Sequence, residues 1–366
     1  MKWKDWEIAV MKRALALARR GRGAVEPNPL VGACIVRGGE IIGEGVHRRF
    51  GGAHAEVEAL RKAGKRARGA QMFVTLEPCS HHGKTPPCTD ALIAAGVTRV
   101  VAAMRDPFAK VRGRGLARLR KAGIRVETGL MGDDARRLNA PYIKLRTQGI
   151  PFFIAKYAMT LDGNIAAASG DSKWISCEKS RREVHRLRGR VDAIIVGIET
   201  ALADDPHLSA RPPGKRTAAR TVIDSRARLP LGSKLVRTAA EIPLLIASGA
   251  GAPARRVAAL EAAGAQVLRL PGESGVDLAA LAGELGSREM TNVLVEGGSR
   301  LLGGFFKARL IDEVMVFVAP ILAGEGVRAV SGWAAEAIGR SLRLEDVSSR
   351  RLDCDIMIRG RVDYGD

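Results

Sequence analysis

The chain is poor in cysteine and in aromatic residues, and it has no long apolar run. Five cysteines in 366 residues is an odd and sparse set, which argues against a disulfide framework. No stretch approaches the ~20 consecutive apolar residues of a membrane span. The N-terminal MKWKDWEIAVMKRALALARRGRG lacks the apolar block of a signal peptide, so a cytoplasmic protein with reduced thiols is expected. Aromatics number 8 Phe, 4 Trp and 3 Tyr. Single-strand binders stack bases on such rings, so this scarcity argues against nucleic acid as the partner. No G-x-G-x-x-G occurs, which argues against an ordinary Rossmann dinucleotide site.

What is present is a core-forming composition with a skewed charge. Hydrophobic residues make up 46% of the chain, and the length suits about two domains. The formal charge of +20 is uneven. Residues 1–150 carry 29 Lys/Arg against 13 Asp/Glu, a net +16, and the remainder carries 30 against 26, a net +4. A basic first part suits a phosphorylated small molecule or nucleic acid, although most of these arginines read as solvated surface.

Periodicity gives an alternating α/β chain. Residues 4–20 read as an amphipathic helix, and LVGACIV and EIIGEGV as a hairpin about Gly38-Gly39. AHAEVEALRKAG is a helix closed by Gly64, AQMFVTL a strand, and TPPCTDALIAAG a helix with Thr85 as N-cap and Pro86 in its first turn. VTRVVAAM, GRGLARLRKAG and IRVETGL follow as strand, helix and strand, then one helix from about Asp133 to Leu145. TQGIP (147–151) marks a boundary, giving domains 1–147 and 151–366. Seven apolar runs after it, from PFFIAKYAM to DEVMVFVAPIL, give a second α/β unit.

The chemistry concentrates in TLEPCSHHGKTPPC (75–88) and GAHAE (52–56). Cys79 ends a strand and Cys88 opens a helix, whose dipole favours the thiolate that binds zinc. His54 at another helix start is the third ligand, which leaves a fourth position for water. Glu56 stands ~200° from His54 on a helical wheel, so the two converge only at a metal beyond the helix's N-terminal end. Glu56 is then a proton shuttle rather than a ligand. His-Ala-Glu alone is ordinary surface chemistry, and a cysteine pair alone is ordinary packing; their combination carries the assignment. It follows the zinc-deaminase pattern H-x-E…P-C-x-x-C, with eight residues between the cysteines in place of two. His81 and His82 rank below these ligands. Cys34, Cys177 and Cys354 read as packing residues, and His47 as a structural histidine near the site.

With PNPLVGACIV upstream, and AKYAMTLDGNIA, SGDSKWIS, ETALADDPHL, VIDS and VEGGSRLLGGF downstream, the chain resembles the bifunctional riboflavin-biosynthesis deaminase/reductases over nearly its whole length. In that family the long inter-cysteine loop is normal. The resemblance implies a cytidine-deaminase-like domain, a mixed sheet flanked by helices, followed by a dihydrofolate-reductase-like α/β domain. It implies Zn2+-dependent removal of the 2-amino group of a 2,5-diamino-6-(5-phosphoribosylamino)pyrimidinone, with Asn28 on the pyrimidine. NADPH then reduces the ribosyl chain to ribityl. Also by resemblance, Ala158, Trp174, Thr200, Asp204, Ser225 and the stretch Gly298, Ser299, Arg300, Leu301, Leu302, Gly303 and Gly304 contact NADPH. Lys156, Ser172, Arg188, Leu208, Arg211 and Glu296 contact the substrate, a phosphorylated pyrimidine; a homo-oligomer is compatible with this reading.

The residues of the second part say less on their own. EGGSRLLGGF follows an apolar strand and opens a helix whose N–H groups suit a pyrophosphate, or it is a plain structural turn. Ser225 with Arg226 suits a 2′-phosphate, or is an exposed turn. Arg188 and Arg211 suit a phosphate on charge grounds, and Asp204 is equally a helix cap. Two rival readings of the whole remain: a zinc deaminase acting on nucleic-acid bases, and a non-catalytic zinc-stabilised binding protein.

Overall fold

A computed structural model describes residues 3–81, 86–108, 111–272 and 275–365. The chain divides into two compact units, Met1–Gly149 and Ile150–Asp366. The junction falls inside the TQGIP stretch. Thr85 and His82 lie outside the described residues.

The first unit contains α1 (Asp5–Ala18), β1 (Gly32–Arg37), β2 (Glu40–Val46), α2 (Ala55–Ala63), β3 (Gln71–Val74), α3 (Cys88–Ala94), β4 (Arg99–Ala102), α4 (Arg114–Lys121), β5 (Arg125–Thr128), α5 (Gly132–Leu138) and α6 (Ala140–Gln148). Its sheet runs β2-β1-β3-β4-β5. β1 is antiparallel to β2 and β3, whereas β3, β4 and β5 are parallel. Hence β2, β3 and β4 all end at one edge, and the helices that follow them start there. Arg37 pairs with Glu40, so the expected hairpin closes on a two-residue Gly38-Gly39 turn.

Helices cover both faces of this sheet. Gly32 and Ala33 point to opposite faces, and Gly45 pairs with Ala33. A Cβ on Gly32 would stand 2.1 Å from the Ala14 carbonyl oxygen of α1, and one on Gly45 would stand 1.8 Å from the Ala55 oxygen of α2. Only glycine lets α2 lie this close, and that seating fixes where the helix begins.

The single helix expected over 133–145 is two. Asn139, at φ −102° and ψ 14°, separates α5 from α6, and Pro141 sits in the first turn of the second helix. Asn139 is buried, accepts from the Leu30 N–H at 2.8 Å and donates to the Leu30 carbonyl at 3.0 Å. It thereby ties the Pro27–Leu30 segment, which carries Asn28, to the helical layer. Asn139→Ala leaves both Leu30 groups buried without partners, at roughly 1–3 kcal/mol each. Chemical denaturation should register at least the lower figure; an unchanged midpoint would show that water or a neighbour replaces the amide.

The second unit contains β6 (Phe152–Thr160), β7 (Asn164–Ala167), α7 (Glu178–Arg188), β8 (Ala193–Gly197), α8 (Ile198–Asp204), β9 (Ala219–Ile223), α9 (Lys234–Arg237), β10 (Leu244–Gly249), α10 (Ala254–Ala262), β11 (Gln266–Leu270), α11 (Leu278–Ser287), β12 (Asn292–Val295), α12 (Ser299–Lys307), β13 (Ile311–Ala319), β14 (Gly326–Arg328), β15 (Arg343–Leu352) and β16 (Asp355–Asp363). Its main sheet runs β11-β10-β9-β8-β12-β6-β13-β16-β15, parallel from β11 to β13 and closed by the antiparallel β16–β15 hairpin. The seven apolar runs expected as strands are all strands. The four the sequence reading missed, β7, β14, β15 and β16, are short or polar, and β15 is exposed along nearly all its length. Among the described residues no helix is long and apolar enough to cross a membrane.

Candidate active sites

The shared edge of β2, β3 and β4 gathers the first site. His54 is the N-cap of α2 with extended backbone, φ −75° and ψ 160°, rather than a helical residue. That removes the wheel-angle conflict with Glu56, the second residue of the helix. Cys88 is the first residue of α3, whose N-cap position is held by Pro87, not by the expected Thr85. His54 Nδ1 lies 3.2 Å from Cys88 Sγ and 3.5 Å from Cys79 Sγ, and the Cys88 N–H donates to Cys79 Sγ at 3.3 Å. The three ligand atoms lie within 4.8 Å of one another. One imidazole nitrogen and two sulfurs converging in this way are a donor set that suits Zn2+.

Electrostatics divides the labour among these groups. The Cys88 hydrogen bond, followed by the His54 contacts, outweighs burial and holds the Cys79 thiol well below its usual range. Its bond to Cys79 and its own burial push the Cys88 thiol up. Glu56 is buried; desolvation first, then the Cys79 charge, raises its carboxyl to about 7. A carboxyl poised there both takes and gives a proton near neutrality.

A cavity of ≈ 300 Å³ opens onto these groups. Asn28 and His47 form one wall. His47 Nδ1–H donates to the Ala53 carbonyl at 3.1 Å, so Nε2 accepts from Asn28 Nδ2 at 3.1 Å. Burial, foremost, holds His47 below its usual range and hence neutral. The amide of Asn28 is thus oriented by a residue that the sequence reading treated as structural. Asp106, Tyr142 and Arg146 also line the cavity. Tyr142 donates to Asp106, and the Arg146 guanidinium lies 5.5 Å from the Phe108 ring centre. His81 also lines the cavity.

Glu77, within the Leu-Glu-Pro-Cys run, has a separate task. Its buried carboxylate accepts from the N–H groups of Asp106, Gly113, Gly115 and Leu116 at 3.0–3.4 Å. It caps α4 from across the chain, and so holds the segment that leads into Pro78-Cys79 against the wall that carries Asp106. A glutamate directly before the Pro-Cys pair was the available signal. Tyr142 and Arg146 gave none, because only the tertiary fold brings α6 to the cavity.

In the second unit Glu296, Gly298 and Thr200 follow the carboxyl ends of the parallel strands β12 and β8, the end at which α/β sheets bind ligands. Glu296 follows β12, and its side chain is only 7% exposed. It accepts from Arg188 Nε and Nη2, both at 2.7 Å, and lies 3.9 Å from Lys156 Nζ on β6. Burial alone would raise the Glu296 carboxyl, but Arg188 and Lys156 outweigh it and hold it down. Burial, helped by Arg188, lowers the Lys156 ammonium. Leu208, buried at φ +52°, and Arg211 approach the same group: Arg188 Nη1 reaches the Ser209 carbonyl, and the Arg211 N–H donates to His185 Nδ1 at 3.2 Å. His185, one turn before Arg188, was not anticipated.

The residues expected for the cofactor fall into two sets. Ser299 opens α12, and its hydroxyl is buried with no hydrogen-bond partner. A Cβ on Gly298 would meet Thr200 Oγ1 at 3.4 Å, so α8 and α12 start side by side. An orphaned hydroxyl at an uncapped helix start fits a phosphate. Trp174 is 70% exposed with Arg181 4.6 Å over its ring, Lys173 pairs with Asp204 at 2.9 Å, and Ser225 follows β9. Ala158 lies in mid-β6, opposite Phe317 of β13; Ser172, expected on the substrate, is half-buried. Leu302 and Gly303 turn inward instead: Leu302 is fully buried in the core, and a Cβ on Gly303 would stand 1.8 Å from the Ser331 carbonyl oxygen. Arg300, Leu301 and Gly304 complete the helix's first turns.

Of the cysteines read as packing residues, Cys34 is buried in the core of the first unit, but Cys354 is exposed and Cys177 half-buried. Cys354 lies in the turn between β15 and β16 and Cys177 at the start of α7, so core packing does not explain them.

Comparison with known proteins defines the class. Residues 4–104 match the cytidine and deoxycytidylate deaminase zinc-binding region, and residues 151–358 match the RibD C-terminal domain. The riboflavin biosynthesis protein RibD of Aquifex aeolicus is 40% identical over 349 residues, 95% of this chain and 96% of that protein. The Escherichia coli RibD is 43% identical over 334 residues, 87% and 89% of the two chains. The structure of Acinetobacter baumannii RibD superposes with a TM-score of 0.87 at 37% identity, covering 98% of this chain and 99% of that one. A Thermotoga maritima diaminohydroxyphosphoribosylaminopyrimidine deaminase/5-amino-6-(5-phosphoribosylamino)uracil reductase gives 0.85 at 34% identity over 98% and 99%. A zinc deaminase fold and a reductase fold are therefore joined in one polypeptide. The chain belongs to the RibD family and is a bifunctional deaminase and reductase of riboflavin biosynthesis.

Proposed function

We propose that residues 1–147 form the deaminase domain and 151–366 the reductase domain of a two-step enzyme. The first substrate is 2,5-diamino-6-(5-phosphoribosylamino)pyrimidin-4-one, whose 2-amino group leaves as ammonia. The observation that carries this reading is the convergence of His54 Nδ1, Cys79 Sγ and Cys88 Sγ beside buried Glu56 at a ≈ 300 Å³ cavity. His54, Cys79 and Cys88 would hold zinc, which when bound acidifies water at neutral pH and so supplies the nucleophile. Glu56 accepts the water proton and returns it to the departing amine. Asn28, with its NH2 held by His47, offers its carbonyl oxygen to a pyrimidine N–H. The net +16 of residues 1–150 suits the phosphoribosyl group. Ligands that are thiols also suit a reducing, cytoplasmic setting.

In the second step the ribosyl chain is reduced to ribityl. NADPH, which would supply the hydride, is assigned to the start of α12 with Ser299, Gly298 and Thr200, and to Trp174, Asp204 and Ser225 around it. Lys156, oriented by Glu296, stands where the ribose would react; Arg188 and Arg211 border the place of the substrate phosphate. Arg188 is already committed to Glu296, so Arg211 is the freer of the two for a phosphate.

A coupled assay that follows ammonia and NADPH together tests both steps. Ammonia should precede NADPH loss, and no NADPH should be consumed until the deaminated intermediate forms. Cys88→Ser should lose zinc and ammonia release, yet still oxidise NADPH when given that intermediate. Deamination of nucleic-acid bases with binding that falls steeply with salt would sink the metabolite reading.

A further inference from the structure

The second unit holds another group of metal-ligating side chains, two thiols and a carboxylate, drawn from positions 177 and 354–355. Cys177 is the N-cap of α7, and Cys354 and Asp355 leave the turn between β15 and β16. Cys177 Sγ, Cys354 Sγ and a carboxylate oxygen of Asp355 lie within 4.8 Å of one another. Asp355 is fully buried. Its Oδ2 is used in full by the fold, accepting from the Cys177 N–H at 2.8 Å and the Ser180 hydroxyl at 2.6 Å. Its Oδ1 faces the Cys354 thiol at 3.5 Å, and the Cys177 thiol donates to the Leu352 carbonyl at 3.0 Å. Ser180 also lies 3.4 Å from Cys177 Sγ. Two thiols and one carboxylate oxygen therefore share a small space, with every other bond of Asp355 directed elsewhere. One thiol is reachable from solvent, because Cys354 is exposed.

We propose that Cys177, Cys354 and Asp355 form a second metal site, for a thiophilic d10 cation such as Zn2+ or Cd2+. Sulfur donors select such cations over Mg2+ or Ca2+, and the single carboxylate oxygen completes a three-donor set. Binding replaces two S–H bonds by two metal–sulfur bonds and sends two protons to solvent, so occupancy rises with pH. On binding, the Leu352 carbonyl, 3.0 Å from Cys177 Sγ, loses the thiol proton it now accepts. Cys354 gives the cation an entry path, which a pair of packing residues would not need. The bound ion would pin the β15–β16 turn to the start of α7, the helix that carries His185 and Arg188. Its role is structural, and it is independent of the deaminase metal.

The test is a titration of the full chain with CdCl2 under reductant, after metal removal. Wild type should bind two equivalents, with thiolate-to-metal charge-transfer absorbance growing through both, and the second should release two protons. Cys354→Ser should bind one equivalent, and Cys79→Ser should keep the equivalent that Cys354→Ser loses. Cd2+ should raise the melting temperature of the reductase unit in wild type but not in Cys354→Ser. The exposed position of Cys354 makes that variant safe for folding; unchanged melting in chelator and unchanged NADPH-dependent reduction confirm it. A single equivalent in wild type would overturn the proposal. So would a second equivalent that survives both Cys354→Ser and Cys177→Ser, or a Cys177–Cys354 disulfide in protein kept under reductant.

Discussion

Glu56→Gln abolishes ammonia release while metal content and the melting curve of the metal-loaded protein stay as in wild type. The amide keeps the size and hydrogen-bonding reach of the carboxylate but neither takes nor gives a proton under working conditions. Losing a positioned acid–base group costs about 10²- to 10⁴-fold in rate, and here one group serves both transfers, which puts the expected loss at the upper end. Single-turnover ammonia release and metal analysis on one sample check it. A variant that retains a tenth of wild-type turnover would remove Glu56 as the shuttle.

The same residue sets a pH signature on metal-free protein. Burial raises its folded carboxyl to about 7, above the ordinary 4.5. A raised folded value means that the folded state holds the proton more tightly. The contribution is therefore complete below about 4.5 and is lost as pH climbs through about 7. Its size is roughly 3 kcal/mol, at 1.36 kcal/mol per unit of pKa. Glu56→Gln should flatten that limb of the stability profile in chelator. An identical slope in the two proteins would show that the carboxyl is not buried as described.

Glu296→Ala should destabilise the second unit by about 3–5 kcal/mol, because it strands cations in a buried place without their counter-charge. The side chains of Arg188 and Glu296 are only 16% and 7% exposed, and two 2.7 Å hydrogen bonds join them. Lys156 loses the same partner. For a unit of this length the melting transition should fall by roughly 6–20 °C. Glu296→Gln keeps acceptor geometry on one side and should fall less. NADPH oxidation should vanish in Glu296→Ala even at temperatures where the unit is folded, since Lys156 has lost its orienting group. A shift equal to that of an exposed glutamate, such as Glu336→Ala, would show the triad to be solvated.

The deaminase clip was legible because its chemistry sits in two short local runs. Residue type singled out His54, Cys79 and Cys88, whose ligand atoms lie within 4.8 Å of one another, and Glu56 follows His54 in the first turn of α2. The strands were legible where both faces are buried, as in β8, β10 and β12, because such strands read as continuous apolar runs. β15 was not: Arg343-Leu-Glu-Asp-Val-Ser-Ser-Arg-Arg-Leu352 faces solvent and carries no alternation to read. The break at Asn139 was invisible for another reason. Its cause is a pair of hydrogen bonds to Leu30, 109 positions away, and helical periodicity says nothing about a partner so distant. The cavity wall of Asp106, Tyr142 and Arg146 fails the same way, being assembled by topology rather than by spacing. Leu302 and Gly303 show the converse limit, since a run of adjacent residues on a helix cannot all face one ligand.

Because Thr200, Glu296 and Gly298 follow the ends of the parallel strands β8 and β12, some returns at the opposite rim of that sheet, such as Ala263–Ala265 between α10 and β11, carry none of the residues assigned to the reductase site. Those returns are free to be cut, lengthened or fused to a reporter without disturbing hydride transfer, whereas one residue inserted after β8 or β12 would shift Thr200 or Gly298. Engineering of this half of the molecule therefore has permissive returns and forbidden ones, and the α8–β9 return, which carries Leu208 and Arg211, belongs with the second.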